Sequence, residues 1–271
     1  MQNNFFSINR MGMYLRKEIS DNYKTYLLSI ALMLALGVGI ALFAFANLNQ
    51  WEKEIKVSHI LPVYIIFFTL FIGLDASRSF NALAKTERRM DFFLLPASKF
   101  EKVLGQYLIT FIFVSVIFHC CAWVSFQTYQ SLVVTYKQAV MIYDWDQVFP
   151  PKFTYGNYLQ LMLGLHAAFF FGATFFYRFS FPKIFFCFLI FLFGIWFINI
   201  AITNALFGKA LHDWYTNLPY FAIFTGNDRM HNFAYVVPEW LGRTNLFIAQ
   251  FLLIPALWVL SYFRISDKEI Q

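Results

Sequence analysis

Runs of uncharged, mostly apolar residues alternate along the chain with short charged strips. The first run, residues 27–46, holds 20 residues and no charge. The second, 60–74, stops at Asp75 and extends to a span over 59–76. Further runs cover 103–126, 157–177, 184–208 and 245–263. A helix needs about 20 mostly apolar residues to cross the hydrocarbon core of a bilayer. The pattern therefore predicts an all-α polytopic membrane protein with six transmembrane helices, and an even number returns both termini to one side. The first run follows 26 more polar residues and exceeds the about 7–15 apolar residues of a secretory signal. A retained anchor is expected, despite the small-residue pattern Ala44-Phe45-Ala46.

Composition agrees with lipid as the solvent. Of 271 residues, 59% are hydrophobic, 22% aromatic and only 13% charged, against about 25% charged in soluble domains. A soluble enzyme, a disordered chain and a coiled coil are excluded. The net charge of +6 does not indicate nucleic acid, because no polar segment is long enough to carry a basic face. Fourteen Lys and Arg lie on the side of the termini and seven on the other, where seven acids offset them. The positive-inside rule then makes both termini cytoplasmic. Cys120, Cys121 and Cys187 sit inside apolar runs and form neither a disulfide framework nor a metal motif.

The cytoplasmic strips have internal order. In residues 1–26, Ile8, Met11, Leu15, Ile19, Tyr23 and Tyr26 recur at helical spacing, with Arg16, Lys17 and other cations mostly elsewhere on the wheel. Such an amphipathic helix lies in the membrane interface, either as a functional elbow or as a plain anchor. Residues 77–102 are too charged for lipid. There Glu87-Arg88-Arg89 precede Asp91-Phe92-Phe93-Leu94-Leu95, and Pro96 ends the unit. Ser98 with Glu101 three residues on is a capping box, so a new helix starts near Lys99. It is expected to run about 28 residues, or about 42 Å, through the third span. The Phe-Phe-Leu-Leu knob has the make-up of a docking surface, or folds back into the lipid interface.

These two strips carry a resemblance. The stretch MYLRKEISDNYKTYL leads into the first span, and TERRMDFFLLPASKFEKVLGQYL, with the pattern LLPxSxxEKxxGxYL at Leu94–Leu108, leads into the third. The chain resembles the membrane subunits of ABC transporters of the ABC-2 type, and is similar to small permeases of Bacteroidetes-like bacteria. The resemblance implies an elbow helix over 1–26, carried by Met11, Leu15, Arg16, Lys17, Ile19 and Tyr23. It also implies a coupling loop at 77–102, carried by Glu87, Arg88, Arg89, Asp91, Phe92, Phe93, Leu94, Leu95, Pro96, Ser98, Lys99 and Glu101. The six-span domain would be 27–271. Implied too are an inner-membrane location, export of a substrate, a second permease copy or homologue, and a separate ATPase subunit that binds the ATP and Mg. No cofactor is expected in this chain and no nucleic-acid partner; membrane lipid surrounds it.

No phosphate-binding loop is present: the pair Gly208-Lys209 has Thr203 where the first glycine would stand, and Ala210 follows. Intramembrane polar groups are few. Asp75 and Arg78 are spaced as a local pair, His119 and His166 could face each other, and Asn199, Asn204 and Gln250 suit interhelical hydrogen bonds. A polytopic membrane enzyme using His119, His166 or Asp75 is the rival reading, and a non-catalytic anchoring protein the third. The outer segments 127–156 and 209–244 are rich in aromatic rings, predicting short helices at headgroup level; lid and aromatic belt both remain open.

Overall fold

The computed structural model describes residues 5–48, 53–84, 86–144, 155–177, 180–207, 222–225, 233–236, 238, 240, 243–244 and 247–270. Seven helices dominate: α1 (Ile8–Ala46), α2 (Leu61–Arg78), α3 (Thr86–Leu94), α4 (Lys99–Lys137), α5 (Tyr155–Ala173), α6 (Ser180–Phe207) and α7 (Ile254–Ile270). Contacts order them along a common axis. Tyr14 meets Gly105 and Gly37 meets Ser125, so α1 and α4 run side by side in one direction. Phe68 against Phe118 and Ser79 against Thr110 set α2 antiparallel to α4. Gly73 against Phe169 and Thr69 against Met162 make α5 parallel to α2. Gly172 against Ile184 turns α6 back, and Gly164 against Ile254 brings α7 down beside α5.

Among the described residues, four helices are long and apolar enough to cross a membrane: α1, α2, α4 and the Ser180–Ile198 part of α6. This is fewer than the six expected. The predicted span 157–177 forms α5, but Asn157, Gln160 and His166 dilute its 19 residues. The predicted span 245–263 forms the π-helical stretch Ile248–Leu253 and the first turns of α7; residues 245–246 lie outside the described residues. Exposed Leu28 and Phe43 on α1, with Phe186, Ile190 and Phe197 on α6, give the bundle an apolar coat. Water does not tolerate so continuous a surface, so the chain is a helical protein of the membrane type.

Two boundaries differ from expectation. The segment 1–26 does not form a separate interfacial elbow, because α1 is one unbroken helix of 39 residues. At 1.5 Å per residue it is about 58 Å long, and its polar first half stays upright because Tyr14, Met33, Gly37 and Ala41 form one buried stripe. Likewise α4 has 39 residues, not about 28, so 127–137 belong to it rather than to an outer loop. Two π-helical stretches, Leu108–Phe113 and Val133–Lys137, interrupt its α pitch. Gln138, at φ 52°, ends it in the left-handed conformation.

Among the described residues of the outer segments, short strands form after Lys137, and residues 145–154 and most of 209–244, where short helices were expected, lie outside the described residues. β1 (Glu54–Lys56) pairs in parallel with β2 (Val140–Ile142), tying the α1–α2 connection to the end of α4. β3 (Ala222–Thr225) and β4 (Phe233–Val236) are antiparallel. The Asp144 carboxylate accepts Ser58 Oγ at 2.7 Å and the Ser58 amide at 3.0 Å. Chiefly the Ser58 hydroxyl bond, opposed by some desolvation, lowers its pKa. A depressed carboxylate stabilises above its unfolded value, near about 3.9, and loses that contribution as pH falls through the lower folded value. The protection factor of the Ser58 amide against hydrogen exchange should fall below about pH 4, whereas D144N should show low protection at every pH. Unchanged protection in D144N would refute this role.

Candidate functional site

Helix ends converge where both described termini lie. The capping box forms as expected: Glu101 N donates to Ser98 Oγ at 3.1 Å and Ser98 N donates to Glu101 Oε2 at 2.7 Å. That leaves Oε1, which accepts Arg10 Nη2 at 2.9 Å, Arg10 Nε at 3.3 Å and the amide of Ser7. Glu101 thus starts α4 and anchors the start of α1 at once, with no solvent exposure. Its neighbours complete the junction. Gln106 Nε2 donates to Tyr14 Oη at 2.8 Å, Ser98 Oγ donates to Phe5 O, and Lys99 Nζ donates to Ser266 Oγ of α7 at 3.1 Å.

The apolar knob does not remain a single exposed cluster. Phe92 turns inward, 5% exposed, against Tyr14, and Phe93 and Leu95 are half-buried. Lys102, itself buried, sits 5.3 Å from the Phe92 ring and 5.9 Å from Phe93, and donates to Phe93 O. Each contact holds α3 on the base of α4. Leu94, 81% exposed, and Met90, 54%, are the large apolar side chains that α3 still presents. Around them Glu87, Arg88, Arg89, Asp91 and Pro96 are exposed. On α1, Met11 and Leu15 are half-buried, but Arg16, Lys17, Ile19 and Tyr23 are exposed. The protein-facing stripe instead continues through Glu18, Asn22 and Tyr26.

Sequence reasoning missed Arg10, Tyr14, Lys102, Gln106 and Ser266. Tyr14 was detectable, since it lies three residues after Met11 and four before Glu18 on the same helical stripe. The others depend on contacts 91 to 167 residues apart for Arg10, Gln106 and Ser266, which no local pattern encodes.

Intramembrane polar groups take separate places. His166, fully buried, bonds Thr110 Oγ1 through Nε2 at 2.9 Å within the rings of Tyr107, Phe111 and Phe170. His119 bonds Ser115 O and the Tyr155 hydroxyl. Nine residues of α4 separate Thr110 from His119, or about 14 Å, so the two histidines do not face each other. Asp75 makes no ion pair within 4.0 Å among the described residues, but Arg78 is the charge that acts on it, so the expected local pair is present in a looser form. Among the described residues no three His, Cys, Asp or Glu converge as metal ligands. Asn199 and Asn204 lie in a stretch whose side chains are outside the described set, as is that of Gln250.

In comparisons with known proteins, no family model matches the chain, and no curated protein or solved structure matches it.

Proposed function

We propose that the chain is the membrane permease subunit of an ABC transporter, moving a substrate outward under the power of a separate ATPase subunit and working as one half of a dimer. The observation that carries this reading is the junction around Glu101. A charged connector, residues 79–98, is locked by Phe92, Lys102 and Glu101 onto the bases of two 39-residue helices. A push on α3 would therefore move α1 and α4 as levers instead of being absorbed by a loose loop. In this reading α5 and α7 complete six spans, with both termini and α3 cytoplasmic as the basic residues imply.

A partner can reach only what α3 exposes, which moves the docking contact to Met90 and Leu94, with Arg88, Arg89, Glu87 and Asp91 setting orientation. Affinity purification of the full chain should yield a stoichiometric ATPase. L94E should lower its recovery or uncouple hydrolysis from transport about tenfold or more, while the unfolding temperature stays within a degree or two of the parent. F92A, by contrast, should destabilise the fold by about 3–5 kcal/mol, because it empties the buried space against Tyr14. Reproducible absence of an ATPase from the purified chain would refute the reading.

A further inference from the structure

We propose that the cleft between α1, α2, α3 and α4 is a water-filled vestibule that carries the aqueous phase to about the middle of the bilayer. A hydrated substrate then reaches mid-membrane without leaving water. The cleft holds about 570 Å³, space for on the order of twenty waters at about 30 Å³ each. It opens at the end where the termini gather, past Lys17 and Arg88, and ends inside the bundle at Ser29, Asp75 and Thr110.

Contacts along α4 set the depth. On one side of the bundle, Ser266 of α7 meets Lys99 and Trp258 packs on Tyr107. Phe263, three residues before Ser266, is therefore level with Lys102. On α6, Ile184 meets Gly172 of α5, six residues beyond the His166 that bonds Thr110. From these levels inward, α6 and α7 expose Phe186, Ile190, Phe193 and Phe263, a surface for lipid. On the other side, Tyr14 packs on Gly105 and Tyr26 on Phe113. Lys17, Asp21 and Lys24, all exposed, thus lie at the depth of Phe186 to Phe193. One slab of the bundle is coated by aromatic rings on one side and by charge on the other. Eleven residues of α4 separate Lys102 from Phe113, about 16 Å, or half of a hydrocarbon core of about 30 Å.

The wall suits water and not an acyl chain. Lys17, Glu18 and Asp21 of α1 line it together with Asp75 and Arg78 of α2. None of these five has an opposite charge within 4.0 Å among the described residues. Hydration, rather than a dry ion pair, compensates them, because uncompensated charge in lipid is expensive. Both signs occur, so no single ion is favoured as a resident. The neutral groups are already bonded within the protein: Asn22 to Glu18, Ser79 to Ala76 O, Thr110 to Gln106 O and Gln106 to Tyr14. They form a settled polar lining, which bulk water wets without any specific ligand.

The vestibule goes beyond the transport reading and requires only that the chain sits in a membrane. The native cysteines supply the control. Cys121 is buried, and Cys120 and Cys187 are exposed on surfaces that face lipid, where the reactive thiolate does not form. Cys187, three residues beyond Ile184, lies nearer the membrane edge than Thr25 or Ser29. Broken membranes carrying the full chain, with both faces accessible, would be treated with the membrane-impermeant reagent trimethylammonium-ethyl methanethiosulfonate, and labels counted by mass. The parent should stay unlabelled. Thr25→Cys and Ser29→Cys should each gain one label per chain, at least tenfold faster than the parent, so that reactivity runs against depth. Silence at Ser29→Cys in a variant that melts with the parent, or labelling of the parent, would overturn the proposal. Thr25→Cys decides the matter if Ser29→Cys does not fold. Because no ATPase takes part, this labelling result and the purification result stand or fall separately.

Discussion

Replacing Glu101 with alanine should lower stability by about 1.5–3 kcal/mol, the range for hydrogen bonds to a charged group. The change strips three partners at once. Arg10 loses its carboxylate, and the amides of Ser7 and Ser98, at the starts of α1 and α4, lose their acceptor. The Arg10 side chain is 29% exposed, so water recovers part of its loss and holds the cost below that of a fully buried pair. Glu101→Gln keeps one acceptor oxygen for one of those donors but forfeits the charge, and should fall between parent and alanine. Thermal unfolding in detergent, followed by circular dichroism, orders the three. If Glu101→Ala melts with the parent, the junction is not a structural anchor, and the lever argument for transport fails with it.

Adding one methyl group at Gly105 should be as damaging. A Cβ there would stand 2.7 and 2.8 Å from two ring carbons of Tyr14 and 3.4 Å from Leu15 Cδ2. The ring cannot retreat: Tyr14 is 3% exposed, packed edge-on to Phe92, with its hydroxyl held by Gln106. Overpacking of this kind costs about 1–3 kcal/mol, and Gly105→Ala is expected at the upper end. A Tyr14→Leu second substitution should recover part of that loss by clearing the space. Gly39 is the control, since a Cβ there meets nothing within 4 Å. Gly39→Ala should be neutral or stabilising by up to about 1 kcal/mol. Equal melting of the two alanine variants would show that α1 and α4 do not touch through Gly105.

Local signals read well where the physics is local. The capping box at Ser98 and Glu101 depends on four consecutive residues, and it stands where the spacing puts it. The apolar runs became helices because excluding water from the backbone leaves internal hydrogen bonding as the remaining option. Spacing misled at Phe92. Its place in an Asp-Phe-Phe-Leu-Leu run suggested an exposed knob, but a helix turns adjacent residues to different sides. The side that met Tyr14 and Lys102 became core, leaving Met90 and Leu94 outside. The elbow failed for a related reason. An amphipathic stripe announces that one face will be covered without saying by what, and α4 rather than the lipid surface covers it.

By itself, then, the sequence determined that the chain is helical, that lipid is its solvent, and where α4 begins. Run length, charge distribution and a four-residue cap are properties of neighbours in the chain. Only the tertiary structure decided that α1 is a single unbroken helix and that Glu101 joins it to α4. These depend on contacts such as Arg10 with Glu101, 91 residues apart, which arise from packing whole helices against one another.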